Sequence, residues 1–349
     1  FDGFSSGTRD LYIRRHRTVG SRGDKSEKNQ SVRLSLIFLM LLGLAAKTLA
    51  ASFSEDFNSN PLENGWSSFG DASLFQWNPE TKSMDVRWDS EKTNSCFFKM
   101  LPTVIHKDDD FSINFELTPK SVVVQFNQSR SYAFEVFAVG LISTNTSFQP
   151  LFDRTTGTDS PNLAEFDYFP DTGFRATLSP VLVSSNSYFG TSFLFPAPLD
   201  NSVSYQVSMV YTASNQVMKT TVLNKITLQV YQTSFPLPSG YTDFALNALS
   251  ITSYRDNDNT GSMLAQGAVR NIRVDFPEPP KIIGITNSST QTSVTFSSRT
   301  NRFYTVEATS NLKNWVATIA PVQGLEGQTE IVLPTSAALQ LFRVLEQKQ

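Results

Sequence analysis

From Ser52 to Phe276 apolar and polar side chains alternate in short runs broken by Gly, Pro, Asn and Asp, with almost no stretch at helical spacing. A strand with one buried and one solvated face reads in this way. Many such strands with turn residues between them predict an all-β fold, a two-sheet jelly-roll sandwich. The clearest strand candidates are residues 84–88, 111–117, 133–142, 163–169, 204–212, 217–223 and 269–276. Residues 205–211 and 217–223, joined through Ala213 to Gln216, form the best hairpin candidate. Pro277-Glu-Pro-Pro280 reads as a linker, because prolines stiffen the chain and stop a strand from continuing. Beyond it, residues 281–346 repeat the β pattern on a smaller scale, as a small C-terminal β module with strands expected at 282–285, 293–297, 303–308, 315–319, 330–333 and 339–344. A module of that size is near the lower limit for an independent core, so it is expected to pack against the larger domain.

The chemistry open to this chain is narrow. It has one Cys and two His, while a structural zinc site takes about four Cys or His ligands and a catalytic one about three. One Cys also has no partner for an intramolecular disulfide. Activity must then rest on carboxylates, hydroxyls and aromatic rings.

An apolar run from Leu34 to Ala46, preceded by Arg33 and followed by small residues at Thr48 and Ala50, has the layout of a secretory signal peptide over residues 32–50, cleaved after Ala50. The run is short of the roughly 20 residues that a bilayer helix needs, so no membrane span is expected after cleavage. Residues 1–31 read as an upstream segment, basic and poor in apolar residues. The expected location is secreted, extracellular or at the cell surface. The first 50 residues hold nine Lys or Arg and four Asp or Glu, so 29 less 9 leaves 20 basic and 32 less 4 leaves 28 acidic residues, a net charge of −8. No run of three basic residues follows Ala50, and no nucleic-acid partner is expected, since phosphate binding needs a concentrated basic patch.

Three stretches carry a resemblance. Phe53-Ser-Glu-Asp-Phe57 with Gly65-Trp66 resembles the opening strand and first turn of concanavalin A-like lectin/glucanase jelly rolls, including laminin-G-like modules of secreted bacterial proteins. Ala268 to Asp275 is similar to their closing strand, which pairs beside the first. Asn162 to Asp171 resembles the strand on which family 16 glycoside hydrolases carry their carboxylates. This resemblance covers residues 51–276 and implies a lectin-like fold with a polysaccharide or glycan partner. Separately, Phe303 to Trp315 with Leu341 to Val344 looks like a small β module common at the C-termini of large secreted bacterial proteins.

On a strand Glu165 and Asp167 project together, while Phe166 and Tyr168 turn to the other sheet. In the hydrolase pattern Glu165 matches the nucleophile and Asp167 the supporting Asp, but the acid/base position falls on Phe169 or Pro170, and Asp171 comes one residue later. Loss of general-acid help costs roughly 10²- to 10⁴-fold. The favoured expectation is therefore sugar binding or cell-surface interaction without catalysis. A retaining glycoside hydrolase using Glu165 and a structural envelope or matrix protein are the alternatives. Ligand candidates are Glu165, Asp167, Asp171, Tyr168, Trp77 and Trp88, with Trp66 and Tyr188 as further rings. Asp256 and Asp258, in an oxygen-rich loop, are the candidates for Ca²⁺, which takes about six to eight oxygen ligands. Lys107-Asp-Asp-Asp110 reads as a solvated turn, because three adjacent Asp repel unless a cation sits there. His106, beside that turn, is a poor member of a Ser/His/Asp triad, since no Gly-x-Ser-x-Gly elbow is present.

Overall fold

The computed structural model describes residues 51–124, 137–150, 161–170, 175–255, 263–334 and 340–347. Two antiparallel sheets stack face to face across the main core. The back sheet runs Val230–Pro236, Val217–Asn224, Tyr205–Thr212, Phe111–Val124, Met263–Phe276, Ser83–Asp89, Phe75–Asn78, and Ala51–Glu55 also pairs with Met263–Phe276. The front sheet runs Phe189–Thr191, Val181–Val183, Leu163–Phe166, Ala138–Ile142, Leu246–Ser253, Ser95–Ile105, Trp66–Phe69. The opening and closing strands lie side by side, with Phe53 opposite Val274.

The back sheet forms where alternation is cleanest. In Tyr205–Thr212 the residues Tyr205, Val207, Met209 and Tyr211 are buried, and across the hairpin Met218 and Val222 join them, with Val207 opposite Val222. Gln216 closes the turn at a φ of 53°. Each such fully buried apolar side chain contributes roughly 1.5–3 kcal/mol of transfer free energy. The front sheet differs, because both of its faces are covered. Phe97, Leu101, Leu249 and Ile251 face the main core. Their neighbours Cys96, Ala248 and Tyr254, with Ala138, Ile142, Leu163 and Val183, form a second apolar cluster on the opposite face. Phe69 and Phe148 stack over that cluster at 4.8 Å.

The first turn explains the Phe53 to Trp66 motif. Phe57 sits at a φ of 55°. The buried Glu55 carboxylate accepts from Phe57 N at 2.8 Å and from Trp66 Nε1 at 2.9 Å, which ties the turn to the front sheet.

The C-terminal residues form two further small sheets. One runs Ile282–Asn287, Gln291–Ser298, Gly327–Pro334. In the other, Phe303–Thr309 pairs with Val316–Ala317, Val322–Gln323 and Leu341–Glu346. Val294, Phe296, Tyr304, Val306, Ile331 and Leu333 fill the space between them. The expected solvated turn holds for the exposed Asp108 but not for Asp109, which is buried. Arg302 Nη2 lies 3.0 Å from Asp109 Oδ2 and also pairs with Asp108, while Arg299 pairs with Asp109 and, at 2.9 Å, with Glu346. Glu346 also accepts from Thr103 Oγ1 at 2.9 Å. Two guanidinium groups from the C-terminal module thus meet Asp108 and Asp109, while Asp110 accepts from Ala213 N at 2.7 Å.

Candidate functional site

Glu165 lies in the front-sheet strand Leu163–Phe166 and Asp167 just past its end, before the two-residue strand Tyr168–Phe169 of another sheet, so the continuous strand expected over 163–169 is broken there, while Phe166 and Tyr168 lie in the main core. Both carboxylates are fully buried. Tyr254 Oη stands 2.7 and 2.8 Å from the two Glu165 oxygens, so its single proton is shared between them. Gly140 lies directly opposite Glu165, and a Cβ there would come within 2.2 Å of Ala164 O and 2.6 Å of Glu165 Cα. Only a glycine permits that approach. Burial, and then the Glu165 charge, push the Cys96 thiol up to about 12. Glu165 thus belongs to a sealed polar cluster beneath the second apolar layer, and it is not a groove residue open to a polysaccharide.

Most of the rings offered for stacking are also interior. Trp88 is fully buried against Phe137 at 4.4 Å. Tyr168 is buried, and its hydroxyl accepts from Leu199 N at 2.8 Å. Trp66 is buried and stacks on Phe97 at 4.9 Å. Trp77 is half-buried and donates to Phe57 O at 3.0 Å. Trp88, Tyr168 and Trp66 correct the expectation of a ring-lined sheet face, because a buried ring cannot take a ligand, while Trp77 keeps part of its ring exposed. Asp171, Asp256 and Asp258 lie outside the described residues. Among the described residues no cluster of three or more His, Cys, Asp or Glu is placed to hold a metal ion.

His106 Nδ1 does meet a carboxylate, Asp243 Oδ2 at 2.9 Å, but its Nε2 is buried and finds no hydrogen-bond partner among the described residues. Asp243 is raised by burial, yet the His106 ring and the amides of Lys107 and Phe244 hold it below the usual carboxylate range. This pair joins two loops, and among the described residues no hydroxyl lies within hydrogen-bond distance of His106 Nε2.

Exposed rings stand before and after the edge strand Phe189–Thr191 of the front sheet. Tyr188, just before the edge strand Phe189–Thr191, is 47% exposed. Its backbone N donates to Ser184 Oγ at 2.9 Å. Its ring rests on Gly240, where a Cβ would lie 3.5 Å from the ring edge. Beside it, Thr242 Oγ1 donates to Asn186 Oδ1 at 2.6 Å and lies 3.2 Å from Ser185 Oγ. Past the edge strand, Leu194 and Leu178 exchange backbone hydrogen bonds of 3.0 Å. Leu194 packs on the main core, so its neighbours Phe193 and Phe195 point away from it, 59% and 54% exposed. Residues two apart on an extended chain stand about 7 Å apart. Phe193 and Phe195 were not among the sequence candidates; the signal was the Phe193-Leu-Phe195 alternation just before Pro196.

No protein-family model matches the chain, and no curated protein matches it. Similar solved structures include peanut lectin with a nine-residue peptide, at 13% identity over 66% of this chain and 100% of that one, with a TM-score of 0.40. Lectin II from Ulex europaeus shows 12% identity over 66% and 99%, with a TM-score of 0.39. Arcelin-5, a lectin-like defense protein from Phaseolus vulgaris, shows 13% identity over 65% and 98%, with a TM-score of 0.39. Likeness at this level says nothing of ligand or activity. These similar structures are legume lectins, which have the concanavalin A-like lectin/glucanase jelly-roll fold, and this chain is likewise an all-β sandwich.

Proposed function

We propose that residues 51–276 form a lectin-like module of an exported protein, binding carbohydrate at a surface without catalysis. The observation that carries this reading is the exposed Tyr188 ring at one end of the edge strand Phe189–Thr191, beside the Ser185, Asn186 and Thr242 side chains, with exposed Phe193 beyond the other end. Aromatic rings stack on the apolar faces of pyranoses, and neighbouring amides and hydroxyls bind sugar hydroxyls. Soluble proteins keep most large rings inside, so the exposed rings of Tyr188 and Phe193 are the surface that a stacking ligand would use. This reading puts the ligand surface at the edge, and not at the buried Glu165 and Asp167 where the sequence motif pointed.

Two features weigh against hydrolysis at Glu165. Its carboxylate is sealed under Tyr254, and the acid/base position is occupied by Phe169 and Pro170, neither of which carries a proton. A hydrolase would release reducing ends from β-glucan, and Glu165→Gln would abolish that release.

The test is a glycan array followed by polysaccharide pull-down with the chain from Ala51 onward. Binding is expected, with Tyr188→Ala and the Phe193→Ala, Phe195→Ala pair each weakening it about tenfold, near the upper range for an aromatic contact. No binding to any glycan would overturn the lectin reading and favour a structural envelope or matrix role. Export is tested separately, by finding Ala51 as the first residue of the protein recovered outside the cell.

A further inference from the structure

The C-terminal module opens at one end. Phe303–Thr309 runs from the ion-paired end near Arg302 towards Thr309, where its partner strand Val316–Ala317 is only two residues long. Across the core, Gly327–Pro334 ends in a proline, which cannot donate to a ladder. Between these ends lies a groove of about 600 Å³. That volume falls within the range of small-ligand sites, roughly 300–1,000 Å³.

The lining of the groove is distinctive in its chemistry. Thr309, Ser310, Asn311, Asn314, Thr318 and Gln340 supply hydroxyls and amides, Val316 supplies exposed apolar surface, and no side chain of the described lining residues is ionisable. One wall is a fixed turn. Asn311 Oδ1 accepts from Lys313 N at 2.9 Å, Asn314 N at 3.0 Å and Thr309 Oγ1 at 3.1 Å. The Asn311 oxygen is used up in this turn, so what remains for a ligand is its NH₂ group. Thr318 Oγ1 donates to Val306 O at 2.8 Å and can still accept.

We propose that this groove is a second binding site, for an uncharged, hydroxyl-rich ligand, a neutral oligosaccharide. An anionic or cationic ligand finds no counter-charge in the lining. A peptide docking as an added strand would draw on backbone groups, whereas the polar groups gathered here are side chains. Hydroxyls, which donate and accept, match a lining of amides and hydroxyls. The groove lies on a different module from Tyr188, Phe193 and Phe195, and the proposal stands or falls independently of that edge. Where both sites take the same polysaccharide, the Arg302 to Asp109 contact ties them together and avidity follows from effective concentration.

The experiment uses the chain from Ala51 onward, titrated with laminarihexaose, maltohexaose and, as a charged control, oligogalacturonate, followed by calorimetry and amide NMR. Neutral hexaose is expected to shift the amides of residues 309–318, with an affinity unchanged from about 0.05 to about 0.5 M salt. Val316→Asp and Asn314→Ala together should remove those shifts by at least tenfold in affinity, while leaving the amide pattern of the module core and any binding at the sandwich edge intact. The Tyr188→Ala, Phe193→Ala, Phe195→Ala triple variant should leave the groove shifts in place. Shifts absent with both neutral hexaoses, or lost in the triple variant, or stronger with oligogalacturonate, would overturn the proposal.

Discussion

Tyr254 holds Glu165 from across the front sheet, its hydroxyl 2.7 and 2.8 Å from the two carboxylate oxygens. A hydrogen bond to a buried charged group is worth about 1.5–3 kcal/mol. Tyr254→Phe removes it without changing the ring. The variant is expected to lose about that much stability in urea unfolding and to bind glycans as before. Weakened glycan binding with unchanged stability would show instead that the Glu165 cluster meets the ligand.

The same cluster makes Cys96 inert. Burial and the neighbouring Glu165 charge push its thiol up to about 12, and only the thiolate is the nucleophile. At pH 8 the native protein should take up no maleimide over hours, and the unfolded protein should take up one equivalent per chain. Prompt labelling of the native state would mean that the layer formed by Phe69, Phe148 and Tyr254 opens.

What was legible beforehand divides along the two sheets. The back-sheet strands Phe111–Val124, Tyr205–Thr212 and Val217–Asn224 contain the residues expected for them, because one face meets solvent and the alternation survives in the sequence. Ser95–Ile105 and Leu246–Ser253, central in the front sheet, escaped notice for the opposite reason. Their two faces enter two different apolar clusters, so apolar residues run on and the period-two signal disappears. The same burial misdirected the site. The Glu165 and Asp167 motif contains nothing about the second layer, which comes from Phe69, Cys96, Phe148 and Tyr254, far away in the sequence. Long-range ion pairs were equally hidden: Asp109 and Arg302 stand 193 positions apart.

That ion-paired contact makes a prediction of its own. The side chains of Asp109, Arg302 and Glu346 are almost wholly buried, and removing one partner from a buried pair typically costs about 3–5 kcal/mol. Arg302→Met is expected to loosen the C-terminal module, seen as faster proteolysis at Pro277 to Pro280 and a larger radius in small-angle scattering. Combining Asp109→Leu with Arg302→Met should recover part of the loss, because Arg299 and Glu346 still pair and the charge left alone, Asp108, is exposed. A double variant as loose as the single one would argue against a specific pairing.

Glu116 ties a hairpin end to the closing strand. Its carboxylate accepts from Lys225 Nζ at 2.7 Å, Arg270 Nε at 2.8 Å and Asn271 Nδ2 at 3.1 Å. Burial raises its pKa, but these three partners outweigh it and leave the group below the ordinary carboxylate range. A carboxyl whose folded pKa is depressed contributes stability that is fully present above its unfolded pKa and is lost as pH falls through the folded one. Lys225 and Arg270 are themselves well exposed, so screening keeps the contribution to about 1 kcal/mol. Glu116→Gln should therefore be less stable than the parent by about that amount at pH 7, and the two should converge as pH falls below the ordinary carboxylate range. Urea unfolding at a series of pH values measures the gap directly. A difference that stays constant down to acid would place the role of Glu116 in its neutral hydrogen bonds and not in its charge.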